Sequence, residues 1–544
     1  MTQYTLTLLD TTGIQDYIFA SNRLQENIGA SEIVYRATTL WVFEALEKAG
    51  IKNHNVKDSG SLNWGFEKSK WIEKDADLQA EVLQAAGGNT VILFRKQEQS
   101  REFVRKLTKR ILSEAPGLNI LAQHLDEFDF ATDRLPQALE TLHEKMQKHK
   151  RSRQFSTPLR GLSVTAICDS TGLPAVNFLG GQVNINNKTE PIGLKGEDTN
   201  SLISAEAAAK RGWRTYANKR LNSLLKNAAD GYIFPFDLEK LGRIKGEESY
   251  VAVIHADGNR MGMRVKGIGD KVKKPEDNRT FINELREFSE KIDKISTSAL
   301  ESVVGLVVQA VKHEDIQVVE DENGAYLPFR PLVFGGDDVT FVCNGLIGVS
   351  LAVAYIDAFE SAAKKFGLPD FHASAGISIV KMHYPFARAY KLAEELTASA
   401  KSLNRDPQED CSAVDWHFAQ SGLSGSLETI RKREYTPPAG HLNLRPLVMS
   451  GDARSWDTIK NMMSEFNEKW ADKHNKVVGL REALRKGGNF TRAYLQDFDL
   501  MKEKLPAIHG MEDIQETGWQ NGVCYYFDAI ELLDHYVSLE KETA

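Results

Sequence analysis

Apolar and polar residues alternate along the chain in rhythms that predict a mixed strand-and-helix protein. Residues 4–9 read as a buried strand, followed by a turn at Thr11-Thr12-Gly13. From about residue 14 to residue 48 the spacing of Ile14, Tyr17, Ile18, Leu24 and Ile28, then Val34, Leu40, Phe43 and Leu46, is helical. Gly87-Gly88-Asn89 stands before the apolar strand 90–94, and an amphipathic helix with Phe103, Leu107 and Ile111 closes at Pro116-Gly117. A second series begins at the strand 250–254. It continues with a helix over 280–311, a strand–turn–strand over 332–342, a helix over 347–366, a strand over 373–380 and a helix over 386–402. The stripe Trp456, Ile459, Met463, Phe466 and Trp470 predicts a helical C-terminal part. Residues 232–246 read as a linker. The helix over 205–226 carries Lys210, Arg211, Arg214, Lys219, Arg220 and Lys226; the plain reading is a solvated face, the sharper one a surface for RNA or a partner protein.

The two series echo each other. Residues 7–13 align with 252–258, which sets Thr12 against Asp257, and residues 87–94 align with 335–342, which sets Asn89 against Asp337. Strand, turn, helix and glycine hairpin recur in the same order, as expected of two copies of a β-α-β-β-α-β unit. The expected boundaries are 1–175 for the first copy, 176–245 for a helical insertion and linker, 246–435 for the second copy and 436–544 for the helical C-terminal domain.

Composition narrows the class. At 544 residues the chain exceeds one core, and with 42% hydrophobic and 26% charged residues it reads as globular. A net charge of −7 argues against wholesale coating of nucleic acid, though not against a local basic groove. The four cysteines form no CxxC pair, and reduced thiols suit the cytoplasm. No stretch of about 18 apolar residues is apparent, so no membrane span is expected.

The candidate chemistry lies in the second copy. In Gly335-Gly336-Asp337-Asp338, two glycines allow a tight turn with positive φ and two carboxylates follow at the tip of rigid strands. Asp257 ends the strand expected beside them. Three convergent acids suit two Mg²⁺ ions, which prefer carboxylate, phosphate and water oxygens and stabilise both the attacking hydroxyl and the leaving pyrophosphate. The turn Gly258-Asn259-Arg260-Met261-Gly262 enters a helix whose amide N–H groups could approach a triphosphate. Lys401 either faces its own helix dipole or holds phosphates. Ser374 is either a strand-end hydroxyl or a contact to base or ribose. His255 reads as a strand residue packed by its neighbours.

These residues, with Ser374-Ala-Gly-Ile-Ser378, Ala400-Lys401, Ala413-Val-Asp-Trp-His417 and Asp10-Thr-Thr-Gly-Ile-Gln-Asp-Tyr-Ile18, resemble the large subunit of type III CRISPR effector complexes over residues 1–435. The resemblance implies an α+β fold: two ferredoxin-like palm domains, the first degenerate and the second catalytic, with helical insertions and a helical C-terminal domain. It implies ATP as substrate, two Mg²⁺ or Mn²⁺ ions, and cyclic oligoadenylates as products. Carried over by position, Asp257, Asp337 and Asp338 are catalytic and, with Gly258, bind metal. The stretch 258–262, Gly335, Gly336, Ser374 and Lys401 bind nucleotide; Gly87, Gly88 and Asn89 would serve an acceptor nucleotide in the first copy. Partners implied are ATP, guide or target RNA and other effector subunits, with a homo-oligomer left open.

Departures accompany the resemblance. No His-Asp dipeptide of the family's nuclease domain occurs, so single-stranded DNA cleavage is not expected, and a zinc insertion is missing. Asn259 stands where an acid is common. Both a stand-alone relative and a small effector subunit fit. Two alternatives remain: a cyclase making cyclic dinucleotides or a guanine-based signal, and a non-enzymatic RNA-binding scaffold.

Overall fold

A computed structural model describes residues 3–58, 64–86, 88–152, 164–242, 250–404, 410–419, 425–451, 453–470, 473–498, 500 and 504–539. The chain divides into two compact units. One comprises Met1–Lys226, Arg260–Lys294 and Gly335–Asp337; the other comprises Asn227–Asn259, Ile295–Phe334 and Asp338–Ala544.

The first unit is built on an antiparallel sheet in the order Ala80–Ala86, Asn89–Phe94, Gln3–Thr12, Asn119–Asp129. Successive side chains of a strand point to opposite faces. Tyr4, Leu6 and Leu8 therefore share one face, and they are buried with Leu142 and Met146 of the helix Leu135–Ser152 and with Phe281 and Leu285. Each such large apolar side chain contributes roughly 1.5–3 kcal/mol when fully buried. The helices Leu24–Thr38 and Ala205–Ala229 meet backbone to backbone: a Cβ on Gly29 would stand 1.6 Å from the Lys210 carbonyl oxygen.

Neither expectation for the charges of the 205–226 helix holds for three of them. Lys210, Arg211 and Arg214 are 1–3% exposed. Lys210 Nζ donates to Tyr17 O (2.7 Å) and Glu206 (2.6 Å), Arg211 Nε to Glu26 (2.9 Å), and Arg214 Nη1 to Ile192 O (2.7 Å). Buried cations need partners, and these have them. The segment expected as helical insertion also opens differently, with the strands Ala175–Phe178, Gln182–Ile185, Lys188–Pro191 and Leu202–Ser204. Asn186 and Asn187, at φ 51° and 59°, make the tight turn between Ile185 and Lys188.

The second unit is built on a six-stranded sheet in the order Phe329–Val333, Asp338–Asn344, Tyr250–Gly258, Ala373–Lys381, Ala413–Ala419, Leu447–Val448. Its first four strands have the chain order of the other sheet, second-third-first-fourth. Val253, His255 and Asp257 share the face packed by the helix Phe386–Lys401: Thr397 Oγ1 donates to His255 O (2.8 Å). Contact is closest at Gly376, where a Cβ would meet Ala393 O at 2.2 Å. On the other face Gly348, heading the helix Gly348–Lys365, rests on Ala252.

Residues 232–242 are not a free linker. Phe234 and Leu241 are buried, and the fully buried Arg330 donates to the carbonyls of Phe234 (3.1 Å) and Pro235 (3.0 Å). Among the described residues, two helices, over 275–312 and 345–365, reach the length and mean hydropathy of a membrane span by length and composition only. In the second of them Tyr355 and Phe359 pack on Phe341 and Phe371 in the core. All four cysteines are free thiols.

The C-terminal stripe from Trp456 to Trp470 is buried as expected. Beside it, the buried Arg445 lies 3.1 Å from Asp528 and 2.8 Å from Glu531. His417, buried under Arg445 and Arg431, has its pKa lowered from 6.5 to about 3, first by burial and then by those two charges. Between these values the unfolded chain binds the proton and the folded one does not. Stability from this group is therefore complete above pH 6.5 and is lost as pH falls toward 3, at up to ~1.4 kcal/mol per pH unit. Denaturant titrations of His417→Phe should show a shallower acid branch than the parent; parallel branches would refute it.

Candidate active site

The strand Tyr250–Gly258 carries the first acid to the edge of the sheet, and the glycine turn brings the second beside it. Asp257 pairs directly with Asp338 on one side and with Ser374 on the other. Directly opposed residues of antiparallel strands share a face, so both carboxylates and the serine project the same way. Gly335 and Gly336, at φ 104° and 95°, make the turn, a backbone conformation that costs other residues energy.

Two acids so close repel unless neutralised. Lys401, last residue of its helix, ion-pairs with Asp257, and its Nζ also donates to Gly258 O at 3.2 Å. Asp338 Oδ1 lies 3.2 Å from His255 Nδ1, yet this buried oxygen accepts no well-aligned hydrogen bond. Burial opposes a charged His255, but the adjoining Asp338, with Asp257 and Glu394, outweighs it and raises the ring's pKa. The Tyr390 ring packs edge-on to His255 at 5.6 Å. His255 lies beside Asp338 and Tyr390 packs on His255, where sequence reasoning read both as packing residues. The available signal was parity: His255 lies two residues before Asp257, hence on the same strand face.

The other predicted residues divide. Ser374 is fully buried and donates to Asn259 Oδ1 at 3.0 Å. Asn259, 2% exposed, donates through Nδ2 to Asp410 (3.1 Å) and Cys411 O (3.0 Å), and through its backbone N–H to His372 O (2.8 Å). Both side chains therefore brace the loop instead of facing a ligand, and the Asn259 N–H is not open to a phosphate. Met261 and Gly262 open the helix Met261–Asp270 behind Arg260, whose φ is 57°; amides of a first turn have no intrahelical acceptor. Gly335 is exposed and Asp337 half-buried. Among the described residues no three His, Cys, Asp or Glu side chains stand ready as a metal-ligand group; what the structure brings together is the pair Asp257 and Asp338.

In the first unit Gly87 lies outside the described residues. Asn89 begins its strand, and a Cβ on Gly88 (φ 81°) would strike Ile14. Asp10, not Thr12, sits opposite Asn89 as Asp257 sits opposite Asp338, and Thr12 pairs with Asn119. Asp10 is ion-paired at 2.6 Å by Lys150, near the end of the helix after the fourth strand, as Lys401 pairs Asp257.

Residues 250–408 match the family model of the Cas10/Cmr2 second palm domain. Among solved structures, the Csm1–Csm4 cassette in complex with cA4 is similar at 15% identity and a TM-score of 0.50, over 98% of this chain and 70% of that one. The same cassette with pppApA gives 16% and 0.50, over 98% and 69%, and the apo cassette 15% and 0.50, over 98% and 70%. At this identity the likeness is one of fold. No curated protein matches the chain.

Proposed function

We propose that the chain, whose residues 250–408 match the family model of the Cas10/Cmr2 second palm domain, is a metal-dependent nucleotidyltransferase that condenses ATP into cyclic oligoadenylates for type III CRISPR-like antiviral signalling. The observation that carries the reading is the cross-strand pair Asp257 and Asp338, with Lys401 on the first and a buried unbonded oxygen on the second. In this reading each of the two four-strand arrays of the same order is a palm. The first is degenerate because Asn89 faces Asp10, and the domain boundaries fall near 175, 245 and 435. The adenine nucleotides bound in the Csm1–Csm4 cassettes support the substrate class.

The donor set fits Mg²⁺ or Mn²⁺. Hard carboxylates suit them, and Mg²⁺ commonly takes one or two carboxylates and completes its shell with phosphate oxygens and water. When bound, the ions supply charge stabilisation to the attacking 3′-hydroxyl and the leaving pyrophosphate. Asp257 and Asp338 would hold them, with Asp337 and the Gly258 carbonyl beside. Lys401 already plays the cation's part at Asp257; relieved of it, the ammonium turns to the phosphates. His255 steadies Asp338. The N–H groups of Met261 and Gly262 stand in the first turn of their helix, where amides have no intrahelical acceptor and an anion is favoured. The nucleoside's 3′-oxygen bonds to the α-phosphorus of the next ATP and the bond to pyrophosphate breaks; closure repeats this within one chain. We place the protein in the cytoplasm, with RNA and effector subunits as partners. The scaffold alternative loses its main support, since Lys210, Arg211 and Arg214 are internal.

The test is incubation with each NTP and Mg²⁺ or Mn²⁺, with and without RNA, and mass spectrometry of the products. ATP-derived rings are expected, with Lys401→Ala raising KM for ATP. Guanine-containing or dinucleotide products favour the other cyclase, and tight RNA binding without turnover the scaffold.

A further inference from the structure

Lys401 closes its helix, and helix ends fray because their last carbonyls have no intrahelical donor. Here the chain keeps winding past the helix. Ser402 N donates to Ala398 O (3.1 Å), Leu403 N to Ala400 O (3.2 Å) and Asn404 N to Lys401 O (3.0 Å), so the turn that carries Lys401 is held as far as Asn404. The Asn404 side chain then grips one residue through both of its main-chain groups. Its Nδ2 donates to Cys411 O at 3.0 Å, and its Oδ1 accepts Cys411 N at 2.9 Å and the Cys411 thiol at 3.1 Å. A carbonyl has a second lone pair, and at Cys411 O it accepts Asn259 Nδ2 at 3.0 Å. Asn259 follows Asp257 and Gly258 in the chain, and it is locked in turn by Ser374 Oγ, Asp410 and His372 O.

These bonds close a ring. It runs from Lys401 through Asn404, Cys411 O and Asn259 to Gly258 and Asp257. It returns through the Lys401 ammonium, which ion-pairs with Asp257 and donates to Gly258 O at 3.2 Å. A lysine ammonium rides on a long flexible stem, so its placement is only as good as the anchoring of the backbone beneath it. Asparagine suits both nodes of the ring. Each needs a donor and an acceptor at once on one short side chain, and aspartate, an acceptor only, would set an oxygen against the Cys411 carbonyl. We propose that Asn404 is a positioning residue: through Cys411 and Asn259 it fixes the helix end that carries Lys401 against the turn that carries Asp257. The ammonium then passes from the Asp257 carboxylate to a nucleotide phosphate by side-chain rotation alone, with the backbone held on both sides.

The phosphate half of this rests on the proposed function, so the test has an arm independent of turnover. The full chain is labelled with a limiting dose of acetic anhydride, and acetylation of each lysine is followed by peptide mass spectrometry. Breaking the ring lets the Lys401 ammonium leave Asp257. Hydrogen bonds of this kind shift an equilibrium about 3- to 10-fold, so Lys401 acetylation should rise by about that factor in Asn404→Ala. Lys391, exposed on the same helix, should keep its parent rate. Asn404→Asp keeps the shape and the acceptor but cannot donate to Cys411 O, and Lys401 labelling should rise likewise, which preserves the test where the alanine variant fails to fold. Where the parent turns over ATP, Asn404→Ala should raise KM by about 3- to 10-fold with little change in kcat. In a Lys401→Ala background it should add nothing, because the two residues act through one contact. Equal losses in both backgrounds, unchanged Lys401 labelling in Asn404→Ala, or a rise of the same size at Lys391 overturn the proposal. So does an Asn404→Asp whose Lys401 labels as slowly as the parent's. A parent that makes no product overturns the cyclase reading and leaves the labelling to decide this one.

Discussion

Changing Asp257 and Asp338 together to asparagine should remove the proposed ATP turnover while the protein stays folded. The two side chains oppose each other across adjacent strands and share a face, so one variant strips both carboxylates from the place where charge must be neutralised. Loss of a single preorganised electrostatic contact costs about 10²–10³ in rate, and the pair should reach at least the upper figure. Stability should change little. Asp257 and Asp338 are each about a third exposed, and such ion pairs are worth roughly 0–1 kcal/mol. Product formation by mass spectrometry and the midpoint of thermal unfolding check the two halves of the statement. Undiminished product, with the fold intact, would remove Asp257 and Asp338 from the mechanism.

Gly376→Val should be the most damaging single change to the second unit. Its Cβ would stand 2.2 Å from Ala393 O, 2.3 Å from Thr397 N and 2.7 Å from the Leu396 carbonyl carbon. All three belong to helix backbone, which cannot turn aside as a side chain can. The helix Phe386–Lys401 must lift from the sheet, at a cost of about 3 kcal/mol or more. Lys401 ends that helix and moves with it, so turnover should fall before the fold fails. Gly305→Ala is the control: that glycine lies within a helix and meets nothing within 4 Å, so alanine there should stabilise by up to about 1 kcal/mol. Urea unfolding of both variants measures the contrast; a Gly376→Val protein as stable as its parent would mean the helix does not press on that strand.

Legibility differed by the range of the interaction. Helices and strands were readable because their periods are local: the buried stripe Trp456 to Trp470 and the presence of a strand from Tyr250 follow from neighbouring residues alone, though the strand runs on to Gly258. The neighbourhood of Asp257 and Asp338 was expected from the strand order of a β-α-β-β-α-β unit; the turn at Gly335-Gly336 by itself pairs only Phe329–Val333 with Asp338–Asn344. The charges of the 205–229 helix were not readable. Whether Arg211 meets water or Glu26 depends on a helix 185 residues away in sequence, and sequence composition treats both cases alike. The same holds for Ser374 and Asn259, whose side chains turn to each other, and for Asp10, whose register against Asn89 emerges only when strands are paired.

By itself, then, the sequence determined which chemistry is on offer: acids after a glycine turn, an acid at a strand end, and a lysine closing a helix. Each of those is written in a few contiguous residues, where local sterics and backbone preference decide. The tertiary structure alone decided which groups are spent on the protein itself. Asn259, Ser374 and the buried cations of the 205–229 helix all find partners far along the chain, because a polar group removed from water must be paired wherever folding happens to bring it.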